Sequence, residues 1–87
     1  MTSFIPQKYN AILIKIYDLT ILQKEKVTFS KLTEFFDKKE LCSTLVYLCN
    51  HCIVEEVWDN SSGQWIRTFE IGRQYIPFVK KLKELAV

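Results

Sequence analysis

The order of apolar and polar positions along this chain changes period twice. From Pro6 to about Glu25, Tyr9, Ile12, Leu13, Ile16 and Thr20 recur at helical spacing and make one core stripe. Pro6 suits a first helical turn, where its missing N–H leaves no bond unmade. Asn10, Ile14, Tyr17 and Ile21 line an adjacent face, with Leu19 and Leu22 flanking the other side. A helix with so narrow a polar face is either packed on two sides within its own domain or part of a subunit interface. Val27, Thr28 and Phe29 then form a short extended segment of β-branched and aromatic residues. Ser30 is the expected N-cap of a short helix, Lys31 to Phe36, with Leu32, Phe35 and Phe36 pointing inward. Asp37, with Glu40 three residues on, is a capping-box-like pair opening a longer helix from Lys38 to about His51. Leu41, Leu45, Leu48 and Cys52, at steps of four, three and four, are its buried stripe.

After this helix the pattern becomes that of strands. Ile53 to Trp58 and Trp65 to Ile71 are rich in β-branched and aromatic residues, and Asp59-Asn60-Ser61-Ser62-Gly63 between them is a cluster of turn formers. An antiparallel hairpin with a loop of about five or six residues is expected, with Trp58 and Trp65 facing each other across it. Gly72 breaks the pattern. A last helix, Arg73 to Leu85, presents Tyr75, Phe78, Val79, Leu82 and Leu85; Pro77 makes it begin near Ile76 or kink there.

Composition narrows the class. Eighty-seven residues make a single domain, 1–87, because so short a chain cannot bury two cores. A hydrophobic share of 48% excludes a disordered chain. A net charge of +2 permits nucleic-acid binding without arguing for it. Met1 to Pro6 lacks a basic region followed by an apolar run, and Ala11 to Ile16 is far too short to span a bilayer. Three cysteines are an odd number for a secreted disulfide framework. A cytoplasmic protein without a membrane partner is therefore expected.

The order helix, short strand, helix, helix, hairpin, helix resembles the winged helix-turn-helix family. The strings that carry the resemblance are Val27-Thr28-Phe29-Ser30-Lys31-Leu32, Leu45-Val46-Tyr47-Leu48, Ile53-Val54-Glu55-Glu56-Val57 and Phe69-Glu70-Ile71-Gly72-Arg73-Gln74-Tyr75. They are similar to segments of small MarR- and PadR-like regulators, and the compact layout is similar to winged-helix proteins of archaeal viruses. The resemblance implies an α+β, mostly helical fold and a double-stranded DNA partner read as a transcriptional regulator would read it. Where that family has glycine after the recognition helix, this chain has Cys52, and Asn50 is the residue able to take a left-handed conformation there instead.

A helix fits the major groove, and the resemblance implies that the amino-terminal half of the 38–51 helix docks deepest. Its contact candidates are Lys38 and Lys39 for phosphates or guanine, and Ser43, Thr44 and Tyr47 for base edges. The wing offers Asn60, Ser61, Ser62 and Gln64 at its tip and Arg67 on the returning strand, its one cation, opposed by Asp59. Ser30 and Lys31, at the start of the preceding helix, are positioned for a phosphate. Two-fold dimers double such contacts over paired half-sites, so a homodimer is expected, its interface drawn from Ile14, Tyr17, Ile21, Phe78, Leu82 and Leu85.

Cys49-Asn50-His51-Cys52, with Cys42 nearby, raises a zinc site or a redox pair, but a single C-x-x-C lacks the second pair of a zinc ribbon. Buried structural thiols are the expectation, with no metal and no cofactor. His51 has no evident acid partner and no phosphate-cradling loop occurs, so an enzyme is not expected. The rival to DNA binding is a winged helix that binds protein, which Glu55 and Glu56 favour.

Overall fold

A computed structural model describes residues 9–85. The expected helix start at Pro6 and the Met1–Pro6 segment lie outside those residues. Helix α1, Asn10–Tyr17, continues directly into a π-helical turn, Asp18–Leu22. Gln23 N–H donates to the Asp18 carbonyl at 2.9 Å, five residues back. The Thr20 hydroxyl donates to the Ile16 carbonyl at 2.7 Å, a back-bond that competes with the regular helical ladder.

Ile12, Leu13, Ile16, Tyr17 and Leu19 are all buried. At about 100° per residue, Tyr17 falls beside Leu13 and Leu19 beside Ile12, so the buried face is the first stripe widened by these two residues. The place of Tyr17 in an interface stripe is thereby corrected: it is 5% exposed and packed inside its own chain. Ile14 is half-buried and Ile21 exposed.

Strand β1 is Val27–Thr28 and helix α2 is Phe29–Leu32. Thr28, not Ser30, caps α2: its backbone is extended and its hydroxyl accepts from Lys31 N–H at 3.1 Å. Both hydroxyl residues suit a cap. The pairing of Val27 with Phe69 and Thr28 with Thr68 sets where the strand stops, and that chooses between them. The helix is also shorter than expected, ending at Leu32. Leu32 is fully buried, but Phe35 faces outward under the Lys15 ammonium, 4.2 Å from its ring centre.

Helix α3, Lys38–Asn50, begins as expected, with the Asp37 carboxylate accepting from Glu40 N–H at 3.1 Å. Leu41, Leu45 and Leu48 are its buried stripe. Cys52 does not join them. It is exposed, and it, rather than Asn50, carries the left-handed φ, at 59°. Cys52 N–H donates to the Cys49 carbonyl at 3.1 Å and Ile53 N–H to the Leu48 carbonyl at 2.9 Å. These two bonds make a Schellman turn with cysteine in the place glycine usually holds. Asn50 stays helical because Ile53, the residue that closes the turn, must reach the core, where it is buried.

Strands β2, Val54–Asp59, and β3, Ile66–Ile71, form the hairpin, and the sheet order is β1-β3-β2, antiparallel throughout. Trp58 pairs with Arg67, so the expected Trp58–Trp65 pair does not exist. A turn from Asn60 to Gly63, where Gly63 has φ 91°, leaves Trp65 in the loop before β3 begins. After a 3₁₀ turn, Arg73–Tyr75, helix α4 runs from Ile76 to Leu85, so Pro77 sits in its first turn. Val79 is fully buried, and Lys83 Nζ meets the Asp18 carboxylate at 2.6 Å, tying α4 to α1. Among the described residues no helix is long and apolar enough to cross a membrane.

Gly72 N–H donates to the Ile53 carbonyl at 2.7 Å, and a Cβ on Gly72 would lie 2.7 Å from the Cys52 carbonyl oxygen. That approach is between backbones, so no side chain can give way. Gly72→Ala is expected to lower stability by about 1–3 kcal/mol, as overpacking does. Cys52→Gly should raise it by about 0.5–1 kcal/mol by removing left-handed strain. Urea midpoints of the two variants measure both, and an unchanged midpoint for Gly72→Ala would contradict the contact.

Candidate functional site

The side of α3 away from the leucines is built by the step that builds its core side. Lys39, Ser43, Val46 and Asn50 follow at four, three and four residues, and all are exposed. Lys38 is exposed at the margin, and neither Lys38 nor Lys39 has an ion-pair partner among the described residues. Ser43 keeps one bond to its own helix, donating to the Glu40 carbonyl at 3.0 Å.

Two expected members of this face are elsewhere. Thr44 is 1% exposed, packed inward with the leucines, and its place as an outward contact is corrected. It lies three residues from Leu41 and four from Leu48, which puts it on the buried side of the helix. Tyr47 is half-buried: its ring lies 4.8 Å from that of Tyr9 and stacks on His51 at 4.2 Å. It serves as a packing link from α3 to the start of α1 rather than a protruding group. Val46, 60% exposed, holds the central outward position instead. The four-three-four step taken from Lys39 would have found it in the sequence.

On the hairpin, alternation separates two faces. Val54, Glu56, Trp58, Arg67, Phe69 and Ile71 share one, which packs on the core at one end and flanks α3 at the other. A groove of about 300 Å³ lies between that face and α3, lined by Val46, Asn50, Cys42, Cys49, Glu56 and Arg67. Arg67 is not a free cation: it meets the Glu56 carboxylate at 3.0 Å and lies 5.2 Å from the centre of the Phe69 ring. Glu55 and Glu70, directly opposite one another, occupy the other face with Asp59. The acids are thus largely segregated from the side that α3 shares.

Asp59 does not oppose Arg67. Its carboxylate accepts from Lys26 Nζ at 2.7 Å and from the Ser61 hydroxyl at 2.8 Å, and Lys26 also reaches that hydroxyl at 3.1 Å. Lys26 is a second hairpin cation that no local pattern announces, because the contact spans 33 residues and depends on the sheet order. Asn60, Ser61, Ser62 and Gln64 are exposed at the tip, and Trp58 and Trp65 are 57% and 68% exposed beside them. Ser30 is exposed, its carbonyl accepting from Thr33 at 2.7 Å; Lys31 lies 3.8 Å from Glu34, and its amide is taken by the Thr28 cap. Of the amides that open α2, that of Lys31 is therefore already engaged.

The thiols are not a buried set: Cys42 and Cys52 are exposed and Cys49 is half-buried. Burial pushes the Cys49 thiol above its ordinary pKa, the Glu56 carboxylate adds to this, and the Arg67 guanidinium opposes it. Among the described residues no group of three His, Cys, Asp or Glu is placed to hold a metal ion. No protein-family model matches this chain, nor does any curated protein or solved structure.

The hydrogen bonds from Lys26 and then Ser61 hold the Asp59 carboxyl below its ordinary pKa. A depressed folded value means that the tether contributes above the unfolded pKa and is lost as pH falls through the folded one. Lys26→Ala should move the Asp59 titration, followed by its carboxyl NMR signal, back up toward the usual aspartate range. A titration identical to the wild type would remove Lys26 as the cause.

Proposed function

We propose that this chain is a winged helix-turn-helix that binds double-stranded DNA sequence-specifically as a transcriptional regulator. In this reading α3 lies in the major groove and the 54–71 hairpin is the wing along the backbone. The observation that carries it is the outward stripe of α3, Lys39, Ser43, Val46 and Asn50 with Lys38 beside it, opposite a closed leucine core and flanked by the hairpin. The stripe spans about 16 Å of helix. Its residue types suit phosphates and base edges. Lys38 and Lys39, without ion-pair partners among the described residues, supply the charge, and the Glu56–Arg67 pair leaves the wing nearly neutral on that side.

Binding to a random duplex pool should weaken steeply with salt as counterions are released. Lys38→Ala with Lys39→Ala should weaken it across all sequences and reduce the salt slope by roughly two. Glu56→Gln should tighten binding several-fold by freeing Arg67 for phosphate. No binding to any duplex at low salt would overturn the reading.

A protein partner is the second reading, favoured by the Glu55–Glu70 pair: like charges directly opposite destabilise a sheet, so a cationic partner would relieve them. If Glu55→Gln with Glu70→Gln raises stability and leaves DNA affinity unchanged, that face takes no part in DNA binding.

The DNA-binding unit is proposed to be a homodimer. With Tyr17 buried, the apolar surface that remains for it is exposed Ile21 and Leu85, with half-buried Ile14 on α1 and Phe78 and Leu82 on α4. Ile21→Asp should release monomers in sedimentation. A wild-type particle of 10.3 kDa at micromolar concentration would refute the dimer.

A further inference from the structure

Val46 stands out on the proposed reading face. It is the one large hydrophobic of α3 that is exposed, at 60%, while Leu41, Leu45 and Leu48 are buried. Packing therefore does not explain it. Neither does helix formation, since a β-branched side chain loses rotamer freedom in a helix interior and alanine would be preferred there. Its neighbours along the stripe are all polar: Ser43 one turn before, Asn50 one turn after and Lys39 two turns before. The groove toward the hairpin opens beside it, with Asn50 and Arg67 on its walls.

A major groove offers such a side chain one apolar feature, the 5-methyl group of thymine. Resting on the DNA reading of α3, we infer that Val46 is a specificity-determining residue that packs on a thymine methyl. Ser43 and Asn50 read polar base edges on either side of it. Val46 lies seven residues beyond Lys39, about 10 Å by helical rise. The thymine therefore falls within about three base pairs of the Lys39 contact at 3.4 Å per step.

The experiment uses the full chain and a duplex it selects from a random pool, with each thymine replaced in turn by uracil. Uracil lacks the methyl and keeps the pairing. Wild-type affinity should fall about fourfold at one position per half-site, the worth of one apolar carbon removed from water. Val46→Ala should bind the thymine and uracil duplexes equally at that position, while its thermal midpoint stays at or above that of the wild type. Weaker binding by a variant at least as stable marks a contact rather than a folding defect.

Three results would overturn the inference: a selected site without thymine near the Lys39 contact, uracil tolerated everywhere, or Val46→Ala keeping the same uracil sensitivity. Failure to bind any duplex would remove the DNA reading itself, and the thymine assignment with it.

Discussion

The structure turns on the place where α3 ends and the sheet begins. Leu48 must be buried on one side and Ile53 on the other, and only a left-handed residue between them lets the backbone reverse in that distance. Cys52 takes that conformation. Its carbonyl then lies where a side chain at position 72 would be, so the residue after β3 must be glycine. The Gly72 amide meanwhile donates to the Ile53 carbonyl. One junction thus binds the end of α3, the start of β2 and the end of β3, and it sets the angle between the helix and the hairpin.

The surroundings follow from that angle. Because β2 leaves the junction beside α3, one face of the hairpin flanks the helix and the other looks away. Strand alternation then places Glu56 and Arg67 on the α3 side, with Glu55, Asp59 and Glu70 opposite. The Glu56–Arg67 contact neutralises the shared side, and its carboxylate helps hold the Cys49 thiol protonated. Lys26 and Asp59 fasten the hairpin from its other edge, where β1 enters the sheet. The proposed DNA-reading surface is therefore a helix whose first-turn cations have no ion-pair partner among the described residues. In that proposal the hairpin contributes shape more than charge.

Much of this was legible in the chain. The Asp37 cap, the leucine stripe, the two strands and the first turn of α4 all follow from local rules: side-chain oxygens satisfy free amides, and apolar spacing reveals the period. These features depend on residues within four or five positions of one another, so sequence alone determines them. The outward stripe of α3 is legible in the same way, since it is the complement of the buried one, and the same step places Val46 on it and Tyr47 beside it.

Tertiary structure decided what depends on distant partners. Thr28 and Ser30 are equal as caps until the pairing with Thr68 fixes where β1 stops. Cys52 rather than Asn50 turns left-handed because Ile53 has to reach a core assembled from other elements. Arg67 reads as a free cation until the register places Glu56 within reach, and Lys26 has no visible role until β1 lies beside β3. Spacing alone was enough for the order of helices and strands and for the leucine side of α3, while Thr44, Phe35 and Cys52 show that the edges of a buried face depend on neighbours. Which charges remain unpaired is a property of the assembled sheet, and only the fold could decide it.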